Sequence, residues 1–296
     1  MTTTETAPLG FIDGLGSVAA DYDVILCDVW GVIHNGIAAY PDASDALQRF
    51  RAGGGRVILV SNAPRPGASV GRQLDRLGVP RNAYDAVVTS GDITREQIAE
   101  RTGRVVLHIG PPRDLPIFEG LDVSFGSAAE AEYVVCSGFD EPDESQILVE
   151  DYRGRLQRLR DRDLWMLCAN PDLVVERGHT LIPCAGAIAA LYEEMGGEVY
   201  YAGKPHRPIY EAALARAARL AGDDGISPKR VLAVGDALRT DIAGAAGFGI
   251  ESLLVARGIH AAELKLDKAP LNSSHVQDWL TGQSVRPNFV VDKLVW

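Results

Sequence analysis

The chain has 296 residues, of which 46% are hydrophobic and 23% are charged, and its formal net charge is −11. At roughly 100–200 residues per domain, this length predicts two domains, with one large domain as the alternative. The composition is that of a globular protein and excludes a largely disordered one. The acidic charge, without a continuous Lys/Arg run, disfavours nucleic acid and anionic membranes as partners.

The cysteines and the N-terminus indicate the compartment. The four cysteines include no C-x-x-C pair, and three of them lie in or beside apolar runs, so we predict reduced and mostly buried thiols. The N-terminal sequence MTTTETAPLG lacks the basic and apolar segments of a secretory signal, and residues 1–8 are predicted to form a frayed tail. No apolar stretch approaches 18 residues, which disfavours a membrane span. The sequence therefore predicts a cytoplasmic protein.

Apolar runs alternate with amphipathic stretches along the chain, which predicts an α/β fold with a parallel sheet. The first predicted elements are strands at residues 24–27, 57–60 and 86–89, with helices at 43–52 (Asp42 as N-cap), at 66–77 and after Asp92. The middle of the chain adds strands at 105–109, 133–136 and 164–168, with helices within 144–160 and at 186–195. The last predicted elements are a helix at 208–221 and strands at 231–234 and 253–256.

The domain organisation follows from this order of elements. The strand–helix pattern of residues 9–102 resumes at residues 201–296, and the block at residues 103–200 has a pattern of its own. We therefore predict a doubly wound, Rossmann-like parallel sheet core built from both ends of the chain, with an inserted α/β domain between them.

Several predicted strands end in polar residues, and one more polar loop precedes a helix. Asp28 and Asp236 each follow an apolar strand, and Ser61-Asn62 follows another. Lys204 lies in a Gly-Lys-Pro loop before the helix at 208–221. Each feature alone has an ordinary structural interpretation, such as a helix cap or a turn. Together they point to one site, because ligands bind at the carboxyl ends of the strands in open parallel α/β sheets.

The chemistry of these residues fits phosphoryl transfer, which needs a nucleophile and neutralisation of charge on the phosphate oxygens. The carboxylate of Asp28 can act as the nucleophile and form an aspartyl-phosphate. Asp236, and Asp241 five residues later, can hold or orient Mg²⁺, which prefers oxygen ligands. Ser61 can bind a phosphate oxygen, and Lys204 can supply a fixed positive charge.

These motifs resemble the haloacid dehalogenase superfamily, in its class IIA, nitrophenylphosphatase-like branch, over nearly the whole chain. DVWGVIHNG at 28–36 is similar to the first family motif, VSNA to the second, GKP to the third and GDALRTD to the fourth. The stretch CANPDLVVERGHTLIPCAGAI resembles the cap-to-core signature of the branch. By this resemblance, Asp28 is the nucleophile, and Asp236 and Asp241 are the acidic pair.

The resemblance also carries expectations for the rest of the site. It implies that the insert is a cap that excludes water during the reaction and that can form a homodimer. The main-chain carbonyl of Trp30 is expected to ligate Mg²⁺ beside the carboxylates. Ser61, Asn62 and His34 are expected near the substrate. Asn170 and Asp172 are expected in a substrate-facing loop; a turn formed by Asn-Pro-Asp is the alternative interpretation.

Position 30 departs from the family pattern, in which most phosphatases carry a second Asp that transfers protons to the leaving group and from water. Trp30 cannot transfer protons in this way, and such help is typically worth about 10²–10⁴-fold. His34, in the same loop, is one candidate replacement, although an exposed histidine without a role is the simpler interpretation. A second explanation is that the substrate has a good leaving group that needs no acid. A third is that the protein has lost hydrolysis and has kept phosphate-dependent binding. Dehalogenase chemistry is the lesser alternative, because the acidic pair is retained.

Two functional hypotheses result. The first is a Mg²⁺-dependent phosphatase that hydrolyses a small phosphorylated metabolite, such as a sugar phosphate, a nucleotide or an aryl phosphate. The second is a catalytically impaired protein of the same fold that binds a phosphorylated ligand or regulates another process. Retention of Asp28, Lys204 and Asp236 favours the enzyme.

Overall fold

The computed structural model describes residues 9–140, 148–177, 180–222 and 225–296. The predicted tail at residues 1–8, and the beginning of the region predicted to contain a helix at 144–160, lie outside these ranges. Among the described helices, none combines the length and the apolar character that crossing a bilayer requires.

The elements follow one another as alternating strands and helices. The described strands are β1 (Gly10–Phe11), β2 (Val24–Cys27), β3 (Arg56–Ser61), β4 (Ala86–Thr89), β5 (Val105–Ile109), β6 (Ser124–Phe125), β7 (Tyr133–Cys136), β8 (Met166–Cys168), β9 (Val174–Arg177), β10 (Thr180–Pro183), β11 (Val199–Tyr201), β12 (Val231–Gly235), β13 (Glu251–Val255) and β14 (Phe289–Val291). The described α-helices are α1 (Pro41–Ala52), α2 (Gly67–Leu77), α3 (Ser90–Ala99), α4 (Arg153–Arg160), α5 (Ala185–Glu194), α6 (Arg207–Ala221), α7 (Ala243–Phe248) and α8 (Ser273–Thr281).

The larger sheet has seven strands in the order β1-β14-β13-β12-β2-β3-β4. The pairs from β1 to β3 are parallel. Strands β2 and β12 are buried along their whole lengths, as expected for central parallel strands covered on both faces. The chain leaves β2 toward β3 and leaves β12 toward β13, so the strand order reverses between β2 and β12. This switch point is where open α/β sheets form their sites.

A second sheet has five strands in the order β11-β8-β7-β5-β6, and its pairs are parallel. Strands β9 and β10 form a separate antiparallel pair. The apolar core of this part packs α4 and α5 against the sheet; its largest members include Phe139, Tyr152 and Tyr192. The α/β class and the parallel sheets confirm the predicted fold class.

The chain divides into two compact units. The first contains the described residues up to Val60 together with Leu74–Ala86 and Ala213–Trp296, and the second contains Ser61–Gln73 and Val87–Ala212. The five-stranded sheet lies within residues 105–201 of the second unit. The predicted boundaries of the inserted domain, at residues 103 and 200, stay a prediction.

Two predicted helix starts are wrong. Helix α1 begins at Pro41, with Tyr40 rather than Asp42 as its N-cap, because proline fits the first helical position, where its missing N–H is no loss. Helix α3 begins at Ser90 and not after Asp92. Thr89 caps it, and the Thr89 and Asp92 side chains each accept the other residue's backbone N–H. This reciprocal capping places the N-cap three residues before Asp92 and starts the helix at Ser90.

The remaining predicted elements agree with the structure within two residues at each described end, except that helix α4 is preceded by a 3₁₀ turn at Val149–Tyr152. The antiparallel pair β9–β10, helices α7 and α8, and strands β1, β6, β11 and β14 were not predicted. All four cysteines are buried and none forms a disulfide, in agreement with the prediction of reduced, mostly buried thiols.

Candidate active site

Asp28 directly follows the buried strand β2. Its backbone N–H donates a 2.8 Å hydrogen bond to the carbonyl of Val234 in β12, which continues the pairing of the two central strands past the end of β2. Asp28 itself is half-buried. The apolar strand therefore places a carboxylate at the switch point of the sheet, and the nucleophilic role of Asp28 stays a prediction.

The second carboxylate, Asp236, directly follows the last residue of β12 and is buried. Its Oδ2 accepts a 2.8 Å hydrogen bond from the backbone N–H of Ile259, in the loop after β13. Glycines surround this carboxylate: a Cβ at Gly31, whose φ is +81°, or at Gly258 would overlap Asp236. The close approach of two backbone segments therefore holds the Asp236 side chain in place.

The third carboxylate, Asp241, lies in a π-helical turn at Leu238–Ile242 that leads into α7. Its Oδ2 accepts a 3.1 Å hydrogen bond from the N–H of Ala237, so the side chain closes its own turn. A Cβ at Gly235 would overlap the Asp241 carboxylate. The sequence predicts that Asp241 lies near Asp236 only from their spacing. In the structure, the π-helical turn places the Asp241 carboxylate beside Asp236.

Asp28, Asp236 and Asp241 together form a cluster whose ligand oxygens all lie within 4.8 Å of one another. Three carboxylates this close repel one another unless a cation lies between them. The donors are all hard oxygens, which suits Mg²⁺ better than a metal that prefers sulfur or imidazole. The residues present therefore fit the magnesium ion that the sequence predicts.

The loop after Asp28 folds back on itself around Trp30. The indole of Trp30 packs over Gly36, where a Cβ would come too close to the ring and where φ is +84°. The N–H of Gly31 donates a 2.8 Å hydrogen bond to the carbonyl of His34. Trp30 thus acts as the packing centre of its own loop, a role that an aspartate at this position would not fill.

His34 is buried, at 2% exposure, and is not the exposed loop histidine that the sequence favours. Its Nδ1 accepts a 2.9 Å hydrogen bond from the N–H of Gly36, and its ring contacts Trp30 edge-on, with 5.2 Å between centroids. Burial lowers the pKa of His34 to about 4, although its backbone hydrogen bond works in the opposite direction. The neutral imidazole therefore stabilises the loop, and its predicted substrate contact stays a prediction.

Asn62 uses its whole side chain to hold other residues. Its Oδ1 accepts a 2.7 Å hydrogen bond from the backbone N–H of Lys204, and its Nδ2 donates to the carbonyl of Lys204 at 3.0 Å. The second N–H of the amide donates to Asp172 Oδ1 at 2.9 Å. A Cβ at Gly203 would overlap Asn62 Oδ1. In this structure the Asn62 amide positions Lys204, and its predicted substrate contact stays a prediction.

The remaining predicted residues make local contacts. Ser61 Oγ accepts from the N–H of Ala63 at 3.2 Å, a common turn at a strand end. Asn170 Oδ1 accepts from the N–H of Asp172 at 3.1 Å, which matches the turn interpretation of Asn-Pro-Asp. The substrate contacts predicted for Ser61, Asn170 and Asp172 stay predictions.

The structure therefore brings the predicted residues into two groups. Asp28, Asp236 and Asp241 form the carboxylate cluster of the first unit. Asn62, Lys204 and Asp172 form a hydrogen-bonded group within the second unit. Sequence reasoning missed the loop after β13, which supplies the N–H of Ile259 to Asp236. The signal for it was present, because Gly-Ile-His follows a predicted strand by one residue and lies at the same sheet edge as Asp28 and Asp236.

Comparisons with known proteins identify the family of the chain. The haloacid dehalogenase-like hydrolase family matches residues 25–124, and a second HAD-hydrolase-like family matches residues 201–295. A crystal structure of a haloacid dehalogenase-like family hydrolase from Brucella suis 1330 is 46% identical with a TM-score of 0.84, covering 96% of this chain and all of that one. The chain therefore belongs to the haloacid dehalogenase-like hydrolase family.

Its curated relatives are those of the class IIA branch that the motifs predict. Glycerol-3-phosphate phosphatase of Gallus gallus is 28% identical, over 94% of this chain and 91% of that protein. Ribonucleotide monophosphatase NagD of Escherichia coli (strain K12) is 25% identical, over 85% of this chain and 94% of that protein. Both relatives are named as phosphatases.

Proposed function

We propose that the protein is a phosphoric monoester hydrolase that depends on Mg²⁺ and acts on a small phosphorylated metabolite. The observation that carries the proposal is the carboxylate cluster of Asp28, Asp236 and Asp241 at the switch point of the sheet, within 4.8 Å. Curated relatives over most of the chain are phosphatases of glycerol 3-phosphate and of ribonucleotides by name. A sugar phosphate, a nucleotide or an aryl phosphate is accordingly the proposed substrate.

The reaction runs in two displacements at phosphorus. A carboxylate oxygen of Asp28 forms a bond to phosphorus while the bond to the leaving oxygen breaks, which gives an aspartyl-phosphate and an alcohol that takes up one proton. Water then attacks phosphorus and loses a proton, inorganic phosphate leaves, and the Asp28 carboxylate is restored. Ser61 and Lys204 are proposed to bind the phosphate oxygens.

The proposed ligands for the metal are the carboxylates of Asp28, Asp236 and Asp241 and the main-chain carbonyl of Trp30. When bound, Mg²⁺ neutralises negative charge on the phosphoryl group as it transfers. The protein holds Asp236 through the N–H of Ile259 and holds Asp241 through the N–H of Ala237. Both carboxylates are therefore oriented before a metal or a substrate arrives.

The position of Trp30 favours substrates with good leaving groups. The indole packs over Gly36 and has no proton to transfer at neutral pH. Esters whose leaving alcohol has a low pKa need little protonation, so aryl phosphates should turn over better than alkyl phosphates. The same feature favours the second candidate function, a protein that binds a phosphorylated ligand without hydrolysing it.

The test is turnover of p-nitrophenyl phosphate with Mg²⁺ and with EDTA, in the wild type and in Asp28→Asn. Asp42→Asn is the matched control, because Asp42 is exposed in the first turn of α1. We expect the wild type and Asp42→Asn to be active only with metal, and Asp28→Asn to be inactive. Full activity of Asp28→Asn would show that Asp28 is not the nucleophile. A wild type that turns over no phosphate ester, yet is stabilised by inorganic phosphate, would favour the binding function.

A further inference from the structure

The turn that carries Asp241 begins with a backbone N–H that is held by a side chain from another loop. The first N–H groups of a helical turn have no partner within it. At the first position of this turn, the N–H of Leu238 donates a 3.2 Å hydrogen bond to Nε2 of His260. His260 lies in the loop after β13, 22 residues further along the chain. An imidazole therefore takes the place of a conventional cap.

The tautomer of His260 follows from its partners. Because Leu238 donates, Nε2 must be the unprotonated nitrogen, and the proton is on Nδ1. Nδ1 lies 3.0 Å from Oε1 of Glu263 and donates to it. The other oxygen, Oε2, accepts a 3.0 Å hydrogen bond from the indole N–H of Trp279 in α8. These groups thus form a continuous chain of hydrogen bonds. Leu238 donates to His260, and His260 and Trp279 both donate to Glu263.

Glu263 is suited to the middle of this chain. Burial alone would raise its pKa, but the hydrogen bonds from His260 and Trp279 outweigh burial, and the pKa of Glu263 is lowered overall. The group stays a carboxylate that accepts from both neighbours. The tilted rings of His260 and Trp279 also contact each other, with centroids 4.9 Å apart, so the imidazole is held by this ring contact as well as through both nitrogens.

The same loop contacts the carboxylate cluster directly. The N–H of Ile259, next to His260, donates to Oδ2 of Asp236, and Gly258 leaves room for the Asp236 side chain. Consecutive residues of one loop therefore hold Asp236 and Leu238, which are two residues apart. The segment between Asp236 and Asp241 is fixed from outside at both of these points.

We infer that His260 is a positioning residue for the metal site, which acts by holding the Leu238 N–H and thereby the turn that carries Asp241. The inference rests on the proposed function only for the presence of a divalent cation at the carboxylates. Partners of this kind, which orient ligands without touching the metal, typically account for about 10–100-fold in metal affinity. Loss of the imidazole would leave the Leu238 N–H to water and allow the turn to relax.

The test is Mn²⁺ binding without substrate, with free Mn²⁺ counted by its EPR signal; Mn²⁺ suits the same oxygen ligands as Mg²⁺. His260→Ala should bind Mn²⁺ about 10-fold more weakly than the wild type. His260→Gln should stay close to the wild type, because its Oε1 can replace Nε2 as the acceptor. His260→Asn is too short to reach Leu238 and should resemble His260→Ala. His275→Ala, which removes another histidine of the same unit, should have no effect.

Unchanged Mn²⁺ affinity in both His260→Ala and His260→Asn would overturn the inference. Equal weakening in His260→Gln and His260→Asn would also overturn it, because the hydrogen bond to Leu238 would then not be the cause. If His260→Ala fails to fold, the comparison of the Gln and Asn variants decides the question. Failure of the proposed function is seen separately, as a wild type that binds Mn²⁺ but hydrolyses no phosphate ester.

Discussion

Replacing Asn62 with alanine tests how Lys204 is held. The Asn62 amide is 5% exposed and Lys204 is 4% exposed, so water has little access to the bonds between them. The substitution removes the acceptor for the Lys204 N–H, the donor to the Lys204 carbonyl and the donor to Asp172. Two backbone groups of Lys204 are then left in a buried site without these partners.

The size of the effect follows from those two groups. A buried polar group that loses its partner costs about 1–3 kcal/mol. Water that enters the space left by the side chain recovers part of this, so Asn62→Ala should lower the free energy of unfolding by about 2–4 kcal/mol. For a chain of this size, that corresponds to a fall in Tm of about 5–10 °C. If Lys204 binds phosphate as proposed, its misplacement should also lower kcat/KM by about 10–100-fold.

The measurements are thermal unfolding and p-nitrophenyl phosphate kinetics, with Asn82→Ala as the control. Asn82 is an exposed asparagine whose Oδ1 accepts from Gln48, and its loss should change stability by about 0.5 kcal/mol at most. A double-mutant cycle of Asn62→Ala with Asp172→Ala should give a coupling of about 1 kcal/mol. Equal stabilities of Asn62→Ala and Asn82→Ala, or a coupling of zero, would refute the role of the Asn62 amide.

Three further predictions follow from the same structure. Gly258→Ala should weaken Mn²⁺ binding, because the new methyl group overlaps Asp236; Mn²⁺ EPR measures this. Ser44→Ala should raise the free energy of unfolding by up to about 1 kcal/mol in thermal unfolding, because the buried Ser44 hydroxyl in α1 has no hydrogen-bond partner among the described residues. Aryl phosphates should have higher kcat than alkyl phosphates in a panel of esters, because Trp30 supplies no proton.

Each of these has a defined contrary result. Gly247→Ala is the control for Gly258→Ala, since a Cβ at Gly247 in α7 meets no atom within 4 Å, and equal Mn²⁺ affinities in the two variants would contradict the prediction. A fall in stability in Ser44→Ala would show that the hydroxyl has a partner, such as a water molecule. A kcat that does not vary with the pKa of the leaving group would mean that another residue supplies the proton.

The positions of the carboxylates could be predicted because they depend on local patterns. A short apolar run such as VILC predicts a buried parallel strand, and the residue after it must lie at the sheet edge. Asp28 and Asp236 follow two such runs, and the structure pairs those strands next to each other. The five-residue spacing between Asp236 and Asp241 also predicted that the two carboxylates lie together. The π-helical turn that brings them together could not be predicted.

The residues that position the site could not be predicted in the same way. Asn62 and Lys204 are 142 residues apart in sequence, and a Ser-Asn pair after a strand reads equally well as a turn. The hydrogen bonds between the Asn62 amide and the Lys204 backbone form only when the folded chain brings the two residues together. Composition and periodicity do not predict such contacts. The burial of His34 was missed for a related reason: a polar loop predicts exposure, but Trp30 packs the loop against its own backbone.

Asn62 and His260 make their described hydrogen bonds to different partners. The proposed phosphate-binding residue and the proposed metal ligand are therefore positioned by separate hydrogen bonds. Asn62 holds Lys204, whereas His260 holds the turn of Asp241. Because the bonds share no partner, the stability losses of Asn62→Ala and His260→Ala should add within about 0.5 kcal/mol. Mn²⁺ affinity should instead follow His260 alone, so the double variant should bind Mn²⁺ as weakly as His260→Ala. A double variant that binds Mn²⁺ more weakly still would show that the Asn62 group also controls the metal site.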